Sequence, residues 1–187
     1  HKDRMLLITF DPNAAVLQAT CDVGHGRDRV HRCNVWMGIL HIYGCPLINR
    51  VRRFNTEMAS AQSEYVGASL VADLASSYKN LFIEIDPACG LQTKAFELYM
   101  DASASISATV ALSLSEKFRQ FPLAVQKHRE MCHHGELLMR KVDGLENDSD
   151  QGTKPYTSGP DYDRKSKIWY ATHEELVAEG YKVLSLH

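Results

Sequence analysis

The sequence predicts an α/β fold: a mixed sheet with an antiparallel hairpin, layered between helices. Three observations point there. Apolar runs of strand length and longer helical patterns follow one another in the order strand, strand, hairpin, helix, strand, helix, helix, strand. The run Asn34–Tyr43, the turn signal Gly44-Cys45-Pro46 and the return Leu47-Ile48 form a hairpin signature. The stretch Phe96-Glu97-Leu98-Tyr99-Met100 alternates and then stops at Asp101, before the small residues Ala102-Ser103-Ala104-Ser105 that can open a helix.

Taken in order, Met5–Phe10 is a short apolar strand stopped by Asp11-Pro12-Asn13. Val16–Asp22 is a second strand, with Leu17, Ala19 and Cys21 on one face and Gln18, Thr20 and Asp22 on the other. Gly24–Arg29 reads as a polar loop, and Arg50–Asn55 as a basic exit from the hairpin. From Thr56 to Lys79, Met58, Ala61, Tyr65, Ala68, Leu70, Val71 and Leu74 recur at helical steps, and Glu64 lies inside this helix. Pro87–Gly90 is a turn. Ala104–Phe118 and Leu123–Cys132 read as helices separated at Pro122, and Glu136–Val142 as a strand closed by Asp143-Gly144. Glu146–Asp150 is a cluster of acids. A linker at Tyr156–Pro160, a short helix at His173–Glu179 and an apolar end at Tyr181–Leu186 complete the chain.

The 187 residues suit one domain, here 14–155, with an extension at 1–13 and a tail at 156–187. The apolar content of 44% and charged content of 24% are those of an ordinary globular chain. No apolar run is long enough to span a membrane, and no signal peptide opens the chain. It begins at His1, which points to a processed or trimmed product. A net charge of −2 argues against a protein that coats nucleic acid, yet leaves room for local basic patches such as Arg50, Arg52 and Arg53. Five Cys without a CxxC argue against a disulfide framework or zinc ribbon and for a reduced, intracellular setting; Cys21 and Cys45 read as small core residues.

An Asp ending a strand at the start of a helix usually caps that helix, and a helical Glu is usually solvated. Asp22, Glu64, Asp101 and Asp150 each occupy a context that aims a carboxylate at one sheet edge, which favours a four-carboxylate metal site. A competing cluster is His128, Cys132, His133 and His134, with His128 and Cys132 at i,i+4 spacing; solvated surface His is the simpler reading. No Ser-His-Asp or Cys-His hydrolase motif, P-loop or GxGxxG is present.

Residues 22–155 resemble the ribonuclease H domain of copia-type (Pseudoviridae-like) retrotransposon polyproteins. The resemblance runs through Asp22, the Arg27–Arg29 loop and Arg32-Cys33-Asn34-Val35-Trp36-Met37-Gly38. It continues through Ala59-Ser60-Ala61-Gln62-Ser63-Glu64-Tyr65 and Leu98-Tyr99-Met100-Asp101-Ala102-Ser103-Ala104-Ser105-Ile106. It ends with Arg129-Glu130, Gly135-Glu136-Leu137 and Ser149-Asp150-Gln151-Gly152-Thr153-Lys154-Pro155. The chain departs from the family where Ala102 replaces an Asn, Ile48 a Trp, Arg53 a Gln, and Gln120 and Gln126 two His.

The resemblance implies a ribonuclease H-like three-layer fold and metal-dependent hydrolysis of the RNA strand of RNA/DNA hybrids by a two-metal mechanism. Asp22 would bridge two Mg²⁺ (or Mn²⁺) ions, with Glu64 and Asp101 completing one shell and Asp150 the other. Arg50, Arg52 and Arg53 would meet phosphate, and Ser60 and Gln62 the RNA 2′-hydroxyls. The eroded neighbours favour a second class: a domesticated, catalytically retired fold, even an exported one, that binds a protein or nucleic acid. In the tail, Trp169, Tyr170, Leu176, Val177, Tyr181, Val183 and Leu184 are expected to dock on the domain or a partner, tethered by Thr157–Asp163.

Overall fold

The computed structural model describes residues 4–6, 11, 13–24, 34–54, 58–153 and 170–172. In chain order the elements are β1 (Arg4–Leu6), β2 (Leu17–Gly24), β3 (Val35–Ile42), β4 (Cys45–Arg53), α1 (Ser60–Ile85), β5 (Phe96–Met100), α2 (Ser103–Val110), α3 (Glu116–Arg119), α4 (Leu123–His133), β6 (Leu137–Lys141), α5 (Asp150–Thr153) and β7 (Tyr170–Thr172). Five strands form one sheet in the order β4-β3-β2-β5-β6. β4, β3 and β2 are antiparallel neighbours, and β5 and β6 run parallel to β2. β1 and β7 form a separate antiparallel pair, Arg4 opposite Thr172.

The period-two pattern of β2 sets the layers. Leu17, Ala19, Cys21 and Val23 are buried in the main core with Trp36 and Leu40 of β3 and Ala68, Val71, Ala72 and Ala75 of α1. Small residues let helix and sheet meet closely. A methyl group at Gly38 would lie 2.5 Å from Val71 Cγ2, and one at Gly67 would lie 2.7 Å from Val23 Cγ2. α2 and α4 pack beside α1 in the same layer. On the opposite face Met37 and Ile39 form their own small cluster, and Gly152 of α5 packs against Met37 and Val51. This is the three-layer α/β arrangement with an antiparallel hairpin that the sequence predicts.

Several boundaries differ from expectation. The hairpin turns at Tyr43 and Gly44, with φ of 48° and 77°, so Cys45 and Pro46 already belong to β4. Pro46 is tolerated because β4 is an edge strand, and the register shift between Leu40 and His41 leaves Leu47 as the extra residue of a bulge. Arg50 to Arg53 is part of the strand rather than an exit from it, because pairing with β3 continues to Val35.

Helix α1 starts later and ends later than expected. It stops at Asp86-Pro87, where the ring cannot continue the helix and the Asp86 side chain accepts a bond from Ala88 N–H. Leu70, expected on its buried face, is exposed.

The single helix expected over 104–118 is two, α2 and α3. Arg129 on α4 explains the break: its guanidinium donates to the carbonyl oxygens of Ala108 and Ala111, satisfying the end of α2. Leu114 and Phe118 then pack on Tyr65.

Of the tail, β7 is described; the expected helix at 173–179, the apolar end and the tether lie outside the described residues, as do Cys33, the loop at 25–33 and residues 7–10.

Candidate active site

Two parallel strands bring two of the acids together. Cys21 of β2 is the register partner of Met100 of β5, so Asp22 and Asp101 follow side by side at the end of that pairing. Asp22 is buried. Asp101 is half-buried and does not cap α2, whose N-cap is Ala102 without a side-chain bond. Lys141, at the end of β6, donates through Nζ to the Asp101 carbonyl oxygen. Gly144 leaves room for the acid, since a Cβ there would lie 3.0 Å from Asp101 Oδ2.

Glu64 comes from the second turn of α1 and is 8% exposed, against the usual fate of a helical glutamate. Burial raises its carboxyl from 4.5 to about 8, reinforced by the negative charges of Asp22 and Asp101. The thiol of Cys21 is raised by burial first and then by Glu64, Asp22 and Asp101. Three of the four predicted acids therefore share one electrostatic environment.

Asp150 opens α5 and is also buried. A polar latch seats its segment on the sheet. Asn147 Nδ2 donates to the Cys21 carbonyl oxygen at 2.9 Å, and Ser149 Oγ donates to Asn147 Oδ1 at 2.7 Å. His41 Nε2 and Asp148 Oδ2 are hydrogen-bonded at 3.0 Å. Thr153 Oγ1 donates to Asp22 Oδ2. The expected acid cluster at 146–150 is thus divided: Glu146 is exposed, Asp148 pairs with His41, and Asp150 is buried. Asn147, Ser149 and Thr153 are the site residues that sequence reasoning missed. The available signal was the small polar residues interleaved with the acids.

The basic and polar candidates spread over a wider surface. Arg50, Arg52 and Arg53 are exposed on β4. Arg50 and Arg52 pair with Gly38 and Trp36, whose side faces α1, whereas Arg53 pairs with Val35 on the other face. The three do not form a single stripe. Ser60 is exposed at the start of α1, one turn before Glu64 on the same helix face, and half-buried Gln62 donates to the Lys117 carbonyl oxygen.

His128 is not a surface residue. It is 1% exposed, 3.0 Å from Thr109 Oγ1 and edge-on to Tyr65, and burial lowers its imidazole to about 4. Burial also raises the Cys132 thiol to about 11. This pair reads as core packing.

Asp22, Glu64, Asp101 and Asp150 offer carboxylate oxygens, the hard donors that Mg²⁺ and Mn²⁺ take, and the repulsion that Asp22 and Asp101 exert on Glu64 is what a cation relieves. The donor chemistry fits. As the side chains stand, no group of three or more His, Cys, Asp or Glu among the described residues is gathered closely enough to hold an ion.

No family model and no curated protein matches the chain. Among solved structures it is similar to an RNase H1 isolated from compost by a metagenomic approach, at 12% identity over 73% of this chain and 91% of that one, with a TM-score of 0.47. It is also similar to the N-terminal RNase H domain of a Mycobacterium tuberculosis protein, solved as a fusion with maltose-binding protein. That likeness has 9% identity over 81% of this chain and 96% of that one, with a TM-score of 0.48. What the site can do follows from its own residues.

Proposed function

We propose that this chain is a diverged, copia-type ribonuclease H: a metal-dependent endonuclease that hydrolyses the RNA strand of RNA/DNA hybrids. The observation that carries the reading is the meeting of Asp22 and Asp101 at adjacent parallel strand ends, with Glu64 buried against their charge. Asp22, Glu64, Asp101 and Asp150 would hold two Mg²⁺ or Mn²⁺ ions. Such ions supply an activated water and stabilise the leaving oxygen of an in-line displacement. The chain's own part is to fix the carboxylates on rigid elements, to keep Glu64 out of bulk water, and to bind the substrate. Arg50 and Arg52 on one face of β4, and Arg53 on the other, are the arginines available to backbone phosphates. Ser60, beside Glu64, and Gln62 serve the RNA 2′-hydroxyls that separate RNA from DNA. Water adds to the scissile phosphorus as the 3′-oxygen leaves, so the products are a 5′-phosphate and a free 3′-hydroxyl.

Cleavage of a labelled RNA/DNA hybrid in Mg²⁺ or Mn²⁺ tests this, with Asp101→Asn as control. Expected is cleavage of the RNA strand alone, reduced more than about 100-fold by the substitution, beyond the cost of losing an outer-shell partner. Cleavage that survives Asp101→Asn would end the nuclease reading. Hybrid binding without cleavage would move the choice to the retired binding module.

A further inference from the structure

Thr153 is 3% exposed, and its β-branched side chain, set in the last turn of α5, has little rotamer freedom. Its hydroxyl donates to Asp22 Oδ2 and lies 3.3 Å from the Asp150 carbonyl oxygen. The hydroxyl thus ties the Asp22 side chain to α5, the helix that Asp150 opens. The position of α5 is itself fixed by two contacts independent of Thr153: Asn147 on the Cys21 carbonyl, and Gly152 against Met37, the register partner of Asp22.

We infer that Thr153 is a positioning residue. It sets the orientation of the Asp22 carboxylate and couples it to Asp150, so that the two acids present their oxygens to a divalent cation together. The inference rests on the nuclease reading above. It assigns a function to a hydroxyl that the resemblance leaves without a role. A buried carboxylate near other negative charges has more than one rotamer in which to escape them, and a fixed donor selects one. Outer partners that orient metal ligands are commonly worth a factor of about 10–100 in metal affinity.

The test separates the hydroxyl from the methyl group. Thr153→Val keeps the shape and removes the donor; Thr153→Ser keeps the donor and removes the methyl. Mn²⁺ binding to the full chain, followed by electron paramagnetic resonance without nucleic acid, is expected to weaken about 10-fold or more in Thr153→Val. It should stay within about twofold of wild type in Thr153→Ser, with Thr153→Ala grouping with valine. A purely structural Thr153 would give the reverse order, because packing would need the methyl. Equal Mn²⁺ affinity in valine and wild type, or serine as weak as valine, overturns the inference while the nuclease reading stands. Absence of Mn²⁺ binding in the wild type overturns both, and that failure shows in the wild type rather than in the variants.

Discussion

Glu64 sits where a helix would ordinarily give a glutamate to water, and its burial has a definite pH signature. Its carboxyl is raised from 4.5 to about 8, so the folded protein holds a proton that the unfolded chain releases near 4.5. The sign follows by linkage: the contribution to stability is intact below about 4.5 and is lost as pH rises toward about 8. A tenfold change in proton affinity is worth about 1.4 kcal/mol, so the loss amounts to a few kcal/mol. Thermal unfolding in EDTA from pH 5 to 9 should show falling stability in the wild type and a flatter profile in Glu64→Gln, with the variant gaining most at the alkaline end. Parallel profiles would mean that Glu64 ionises freely. The sequence marked Glu64 as a candidate by its context, but burial depends on how α1 leans on the sheet, which the sequence does not display.

At the scale of elements, α5 depends on a close approach. A methyl group at Gly152 would run into Met37 Sδ and lie 2.9 Å from Val51 Cγ2. Gly152→Ala should therefore lift α5 and cost about 1–3 kcal/mol in a denaturant melt, as overpacking does. A melt unchanged within error would show that α5 shifts freely. β2 and β5 were legible beforehand because alternation is written directly into Leu17–Asp22 and Phe96–Asp101. The latch was not, because four residues of helix between polar flanks carry no periodicity, and contacts with β2 and β3 define it. The break between α2 and α3 was hidden for a related reason: it is made by Arg129, which lies on another helix.

For the molecule as a whole, acids from β2, α1 and the end of β5 share one electrostatic environment, and on the proposed reading a cation held with Asp150 as well would tie four elements together. Mg²⁺ or Mn²⁺ should raise the thermal midpoint, by a free energy of about 2.7 kcal/mol at a hundredfold excess over Kd. Asp22→Asn and Asp101→Asn should each shrink that gain, and at pH above about 8, where Glu64 is ionised, each should raise stability in EDTA by removing repulsion from Glu64. A midpoint indifferent to both metals, with variants that melt like wild type, would support the binding-module reading. The ordered sequence of motifs made the sheet legible, and with it the meeting of Asp22 and Asp101 at adjacent strand ends. It did not reveal that Arg50 and Arg52 face away from Arg53, since the strand character of that basic run emerges only when β4 pairs with β3.

The latch has a further consequence for how the site is completed. Its bonds from Asn147 to Cys21 and from Thr153 to Asp22 join residues 126 and 131 positions apart. They close long loops through a few polar contacts rather than through the main apolar core. Native-state amide exchange over 147–153 is expected to report an opening free energy below that of β2, and equal protection would show that the segment opens only with the sheet. On the proposed four-acid reading, Asp150 would then be delivered on a separately opening unit, and the complete site would exist only in the closed fraction of molecules. Cation affinity would then be the intrinsic affinity scaled by that fraction. Changes at latch residues outside the four acids, His41 or Ser149 for example, would then tune the site by altering how often it is whole.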